Sequence, residues 1–122
     1  MPDEAWVAEM VSAWNAFDGE KIGSLFAPDG VWRDEALGSR LEGRDRIIEM
    51  WGTNAPAWAP DFHLDLIATV CSDDTYAFEW RMTGTTKRGG TAFDRVGASV
   101  GHLRDGLIVE HADYYNGADF PH

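Results

Sequence analysis

The chain is short of cysteine, of positive charge and of long apolar runs. Its one cysteine, Cys71, excludes an internal disulfide and any thiolate metal cluster. Cys71 ends an apolar run and is expected to be a buried, inert thiol. Ten Lys and Arg against 21 Asp and Glu leave a formal net charge of -11. Phosphate recognition needs clustered basic side chains, so no nucleic acid is expected as a partner. No basic amphipathic stretch suits an anionic lipid surface, and no apolar run is long enough to span a bilayer, so no membrane partner is expected either. The opening residues, MPDEAWVAEM, lack a basic segment followed by an apolar one, and the expected location is the cytoplasm. His63, His102 and His122 show no metal-ligand spacing with any carboxylate, so no metal site is expected. Gly84, Gly89 and Gly90 read as turn residues rather than a phosphate cradle.

Aromatic residues, by contrast, are plentiful: six Trp, six Phe and three Tyr in 122 residues. That wealth suits a thick core, a dimer face or a pocket for a flat, apolar molecule. The length fits one domain spanning residues 1–122. Trp6, Met10, Ala13, Trp14 and Phe17 recur at helical spacing and predict a first helix over 3–17. Asp18 is placed to cap a short second helix carrying Ile22, Leu25 and Phe26. Pro28-Asp29-Gly30 reads as a turn, 31–34 as a short strand and 37–43 as a loop. A third helix is expected over 44–53, closed by Pro56 and Pro60. Four strands follow, over 62–71, 75–85, 91–104 and 107–115, with Gly97 and Gly101 suggesting bends or bulges. Helices first and antiparallel strands afterwards predict an α+β domain: three N-terminal helices packed on a strongly curved sheet that encloses a cone.

The last strand, LIVEHADYYN, carries the chemistry. At a period of two, Leu107, Val109, His111, Asp113 and Tyr115 share one side, and Ile108, Glu110, Ala112 and Tyr114 the other. A carboxylate and an imidazole two residues apart point the same way. On a concave, apolar side both are candidates for proton transfer. Asp113 has a plainer reading as a partner for Arg81 or Arg104. Asp34 has one as the cap of the turn before Glu35, and His111 one as a core histidine.

Helix, short helix, FAPDGVWRDEALG, a Gly-led third helix, FEWRMTGTT and SVGHLRDGLIVEHADYYN together resemble the nuclear transport factor two-like superfamily, in its SnoaL-like polyketide cyclase and ketosteroid isomerase-like branch. The resemblance covers nearly the whole chain and implies a cone-shaped α+β barrel. In ketosteroid isomerases the proton-abstracting aspartate falls on Asp34. The family's oxyanion-hole tyrosine falls on Met10, and its second oxyanion donor on Val100 or a neighbour. In SnoaL-like cyclases the acid–base aspartate of the final strand matches Asp113. In limonene epoxide hydrolases the water-activating aspartate also falls on Asp113, and the water-binding tyrosine and asparagine on Trp32 and Asp34. Their arginine and second aspartate fall near Glu79 and Arg81, with the charge order exchanged.

Two placements are open for the strand carrying Glu79 and Arg81. The convex one is favoured, which leaves Phe78, Trp80 and Met82 to line the cavity. Trp14, Trp32 and Tyr115 are core residues that also wall the pocket, and Met10 stands with them by the resemblance. The expected function is a cofactor-independent enzyme. Asp34, Asp113 and His111 act on a small apolar carbonyl-type molecule by isomerisation, cyclisation or dehydration. The alternatives are a non-catalytic lipophilic-ligand or dimerisation module, and an epoxide hydrolase. A homodimer through the convex sheet face is expected from the family and from alternate aromatics on several strands.

Overall fold

The computed structural model describes residues 2–121, so His122 lies outside the described residues. Helix α1 (Glu4–Asn15) begins where the Asp3 carboxylate accepts the Trp6 N–H, satisfying one of the donors a helix start leaves free. Val7, Met10, Val11 and Trp14 recur at three and four and form its buried face. It stops short of Phe17, which turns into the left-handed region at φ 53° and breaks the helix. The Asp18 side chain then accepts the Lys21 N–H and opens α2 (Gly19–Ser24). At the far end of α1, the Asn15 amide both donates to the Leu64 carbonyl and accepts its N–H, tying the helix to the sheet.

Six strands, β1 (Phe26–Asp34), β2 (Ser39–Glu42), β3 (His63–Ser72), β4 (Thr75–Thr85), β5 (Ala92–Arg104) and β6 (Leu107–Tyr115), form one sheet in the order β2-β1-β6-β5-β4-β3. Every neighbouring pair is antiparallel except β1 and β6, which run parallel. The sheet curls but stays open, and helices cover its concave side, as the α+β cone reading requires.

The structure departs from the sequence reading at several joints. Pro28-Asp29-Gly30 is an irregularity inside β1, not a turn ahead of it: β1 meets β6 at Phe26 and again from Val31 onward. Gly30 belongs there, because a Cβ would lie 2.9 Å from the Ile108 carbonyl oxygen. The loop expected over 37–43 holds β2, folded back on β1 as a hairpin. Helix α3 (Arg44–Glu49) does not end near residue 53. It runs through a π-helical turn, Met50–Asn54, into α4 (Ala55–Trp58). Pro56 lies in the first turn of α4, directly after the π-helical turn. Gly97 and Gly101 do not break β5, whose pairing with β4 is continuous. Each instead clears space for a ring from β4, Trp80 over Gly97 and Tyr76 over Gly101.

The bulge in β5–β6 comes one step later, at His102/Leu103. It swaps the faces of β6: Ile108 is wholly buried, while Val109 is not in the core. Only His111, Asp113 and Tyr115 keep the shared side read from the alternation. On β4, Phe78, Trp80 and Met82 are buried and Glu79 and Arg81 exposed, so the charged residues take the convex face. Arg81 pairs there with Asp94, at 2.8 and 2.5 Å, rather than with Glu79. Its removal from the concave side takes away the arginine that epoxide opening needs. Cys71 is half-buried rather than buried, and its thiol pKa is raised by burial and by nearby Asp3 and Glu4. Among the described residues no helix is long and apolar enough to cross a membrane.

Candidate active site

Asp34 on β1 and Asp113 on β6 are register partners in the parallel pair. Neighbouring strands lie about 4.8 Å apart, so the two carboxylates leave the sheet side by side. Both open on a cavity of about 320 Å³. Seven aromatic rings stand in the cavity wall: Trp14 from α1, Trp51 and Trp58 from the α3–α4 run, Phe62, Trp80 from β4, Tyr115 from β6 and Phe120 from the tail. Leu64 and Met82 add aliphatic surface. Trp14 is the hub of the rings, stacked on Trp51 at 5.4 Å and edge-on to His111 at 5.4 Å.

Asp34 does two jobs with its two oxygens. Oδ1 accepts the Leu37 N–H at 2.9 Å, capping the hairpin turn, and Oδ2 accepts the Tyr115 hydroxyl at 2.7 Å. The capping reading and the cavity reading therefore hold together. Burial raises the Asp34 pKa above the usual carboxylate value. The neighbouring Asp113 charge adds to the rise, while the Tyr115 and Leu37 donors oppose it. The Tyr115 phenol is itself raised, first by burial and then by Asp34, so it stays protonated and donates.

Asp113 is held from three directions. Oδ1 accepts the Ser99 hydroxyl at 2.6 Å and faces His111 Nε2 at 2.7 Å; Oδ2 accepts the Trp32 indole N–H at 2.9 Å. Ser99 in turn accepts the Trp80 indole N–H at 2.8 Å. Behind them the Tyr76 hydroxyl lies 2.6 Å from His111 Nδ1. Burial raises the Tyr76 pKa well above its ordinary value, so the phenol keeps its proton and can donate to Nδ1. One neutral tautomer of His111, with its proton on Nε2, then satisfies both neighbours.

Of the residues singled out in the sequence, Asp34, Asp113, Trp14, Trp80 and Tyr115 reach the cavity wall. His111 and Trp32 do not: they are 0% and 2% exposed and lie behind Asp113 as its hydrogen-bond partners. Met10 is absent from the wall as well. It lies one helical turn before Trp14 and is enclosed in the core at 0% exposure. Val100 points outward at 42% exposure; its neighbour Ser99 is the inward residue and the register partner of Asp113. The alternation of small residues at 97, 99 and 101 was the signal for Ser99. Phe120, in the tail after β6, packs against Trp58, Phe93 and Tyr115. Among the described residues no three His, Cys, Asp or Glu side chains gather as a metal site.

The sequence profile of the SnoaL-like domain matches residues 7–111. The chain belongs to the SnoaL-like family. No curated protein matches it. Among solved structures, a Catenulispora acidiphila protein with a ketosteroid isomerase-like fold, crystallised with trimethylamine, is 28% identical; the match covers 89% of this chain and 83% of that one, at a TM-score of 0.81. IdmH from Streptomyces antibioticus, a candidate polyketide cyclase, is 24% identical over 92% of this chain and 90% of its own, at 0.76. A candidate polyketide cyclase from Xanthomonas campestris is 21% identical over 93% and 90%, at 0.78. The last two likenesses speak to the fold. Membership of the SnoaL-like family supports a small-molecule-binding or catalytic role.

Proposed function

We propose that this SnoaL-like protein is a cofactor-independent acid–base enzyme acting on a small, mostly apolar carbonyl-type substrate, in the isomerase, cyclase or dehydratase class. One observation carries the reading: a carboxylate whose pKa is raised by burial, Asp34, opens on an aromatic cavity beside a second carboxylate fixed by three partners. A base with a raised pKa is better matched to proton transfer near neutral pH. Asp34 takes a proton from the carbon next to the carbonyl and returns it to another carbon of the same substrate. Asp113, with its geometry set by His111, Trp32 and Ser99, holds the reacting partner or a water in place. An acid–base step of this kind contributes about 10²–10⁴-fold in rate.

The test uses 2-tetralone in D2O, with deuterium incorporation beside its carbonyl followed by proton NMR. The wild-type protein accelerates exchange over buffer. Asp34→Asn and Asp113→Asn each remove about 10²-fold or more of that acceleration while circular dichroism shows the fold intact. No acceleration by the wild type, or full exchange in both variants, defeats the reading. The second reading is a lipophilic-ligand module, favoured by Met10, which brings no oxyanion donor. It expects a bound ligand to be recovered unchanged.

We also infer that a second copy covers the outer face of the sheet. Val70, Ala77, Val100 and Ala112 are successive register partners across β3, β4, β5 and β6, and Val96 and Tyr114 extend this apolar row at 55% and 45% exposure.

A further inference from the structure

Among the described residues the cavity carries two carboxylates and no cation. Asp34 and Asp113 stand side by side in its wall, and no Lys, Arg or His is among its described lining residues. The nearby arginines serve other groups: Arg33 pairs with Glu35 and Glu110, and Arg40 with Glu42. Arg95 lies over the Phe120 ring at 5.5 Å and is not part of the wall. The contacts of Asp34 are a phenol and a backbone N–H, neither of them charged. Seven aromatic rings stand in the same wall, among them Trp14, Trp51, Trp58 and Trp80. A ring face is the negative side of the aromatic quadrupole and attracts a cation within about 6 Å of its centroid.

We propose that the ligand of this cavity carries a positively charged nitrogen, a protonated or quaternary amine, on an apolar body, seated between the ring faces and the two carboxylates. The proposal rests on the reading of this cavity as the ligand site and adds the charge of the ligand to it. It also answers a difficulty in the chemistry. Proton abstraction beside a neutral carbonyl moves the C–H electron pair onto the oxygen and builds an enolate next to Asp113, with no cation among the described wall residues to offset it. A positive nitrogen on the substrate supplies that offset. Asp34 gains the proton, and the substrate becomes neutral overall as the enolate charge balances its own cation.

Two probes of nearly equal shape separate charge from fit: 4-hydroxyphenyltrimethylammonium and 4-tert-butylphenol. Binding is followed through the tryptophan indole N–H signals in proton–nitrogen NMR spectra. The ammonium binds at least about tenfold more tightly than the phenol of the same shape, the size of a desolvated cation–π contact backed by a carboxylate. In Asp34→Asn that ratio falls to within about threefold, while circular dichroism shows the fold intact. The wild-type ratio alone decides the matter if the variant does not fold. Equal or tighter binding of the neutral probe, or an unchanged ratio in Asp34→Asn, overturns the cationic ligand and leaves the acid–base reading standing. If neither probe moves the cavity signals, both readings fall.

Discussion

Tyr76 reaches His111 across a strand that lies between them, and Gly101 is what lets it pass. Tyr76, Gly101 and His111 are successive register partners on β4, β5 and β6. The phenol fills the space that a Cβ on Gly101 would take. Trp80, Gly97 and Tyr115 repeat the arrangement further along the same strands, with the Trp80 and Tyr115 rings 5.8 Å apart.

Gly101→Ala therefore pushes Tyr76 off His111. The expected cost is about 1–3 kcal/mol, the usual penalty for overpacking a filled core. Urea denaturation measures it. The His111 ring signals in NMR report the loss of the Tyr76 contact.

Ser99→Ala removes a hydroxyl that accepts from Trp80 and donates to Asp113. Both partners lose a buried hydrogen bond, and a loss of about 1–3 kcal/mol is expected in the same denaturation assay.

Asp34 sets a pH dependence whose sign follows from its raised pKa. In the unfolded chain the group titrates near 3.8, and in the fold above it. Its contribution to stability is fully present below the unfolded value and is lost as pH rises through the folded one. Asp34→Asn does not titrate. Its stability relative to the wild type is expected to climb over that interval and then level off. Thermal melts at a series of pH values settle the point, and a difference that shrinks with rising pH contradicts it.

Tyr115→Phe removes a donor that holds the Asp34 pKa down. The Asp34 titration is expected to move further up, as read from its carboxyl carbon by NMR. A downward move contradicts the geometry.

Val100→Asp places a charge in the apolar row of the outer sheet face. If a second copy covers that face, dimer affinity falls on the order of 100-fold or more, because the charge is buried without a partner. Sedimentation of both proteins over a dilution series measures the change.

The helices were legible because their apolar residues keep one period and Asp18 caps in the expected place. The pairing of Asp34 with Asp113 in one wall was legible only in part. Strand alternation correctly put His111, Asp113 and Tyr115 on one side, but no local pattern says that β1 runs parallel to β6. The bulge at His102/Leu103 is a property of two strands together, and so Val109 was misjudged. Ser39–Glu42 is a polar, mostly exposed tetrapeptide that becomes a strand because β1 offers an edge to pair with. Gly97 and Gly101 carry no sign of the rings above them. Met10 fits a core stripe and an oxyanion position equally well until the helix is set against the cavity.

The parallel joining of β1 to β6 has a consequence for how the protein comes into being. The contacts that hold the two acids, Trp32 to Asp113 and Tyr115 to Asp34, each close a span of 81 residues. A growing chain in which β6 has not yet left the ribosome holds one acid without its counterpart. The wall that holds both acids is thus incomplete until β6 has been made, and a chain terminated before β6 lacks Asp113 and Tyr115 altogether.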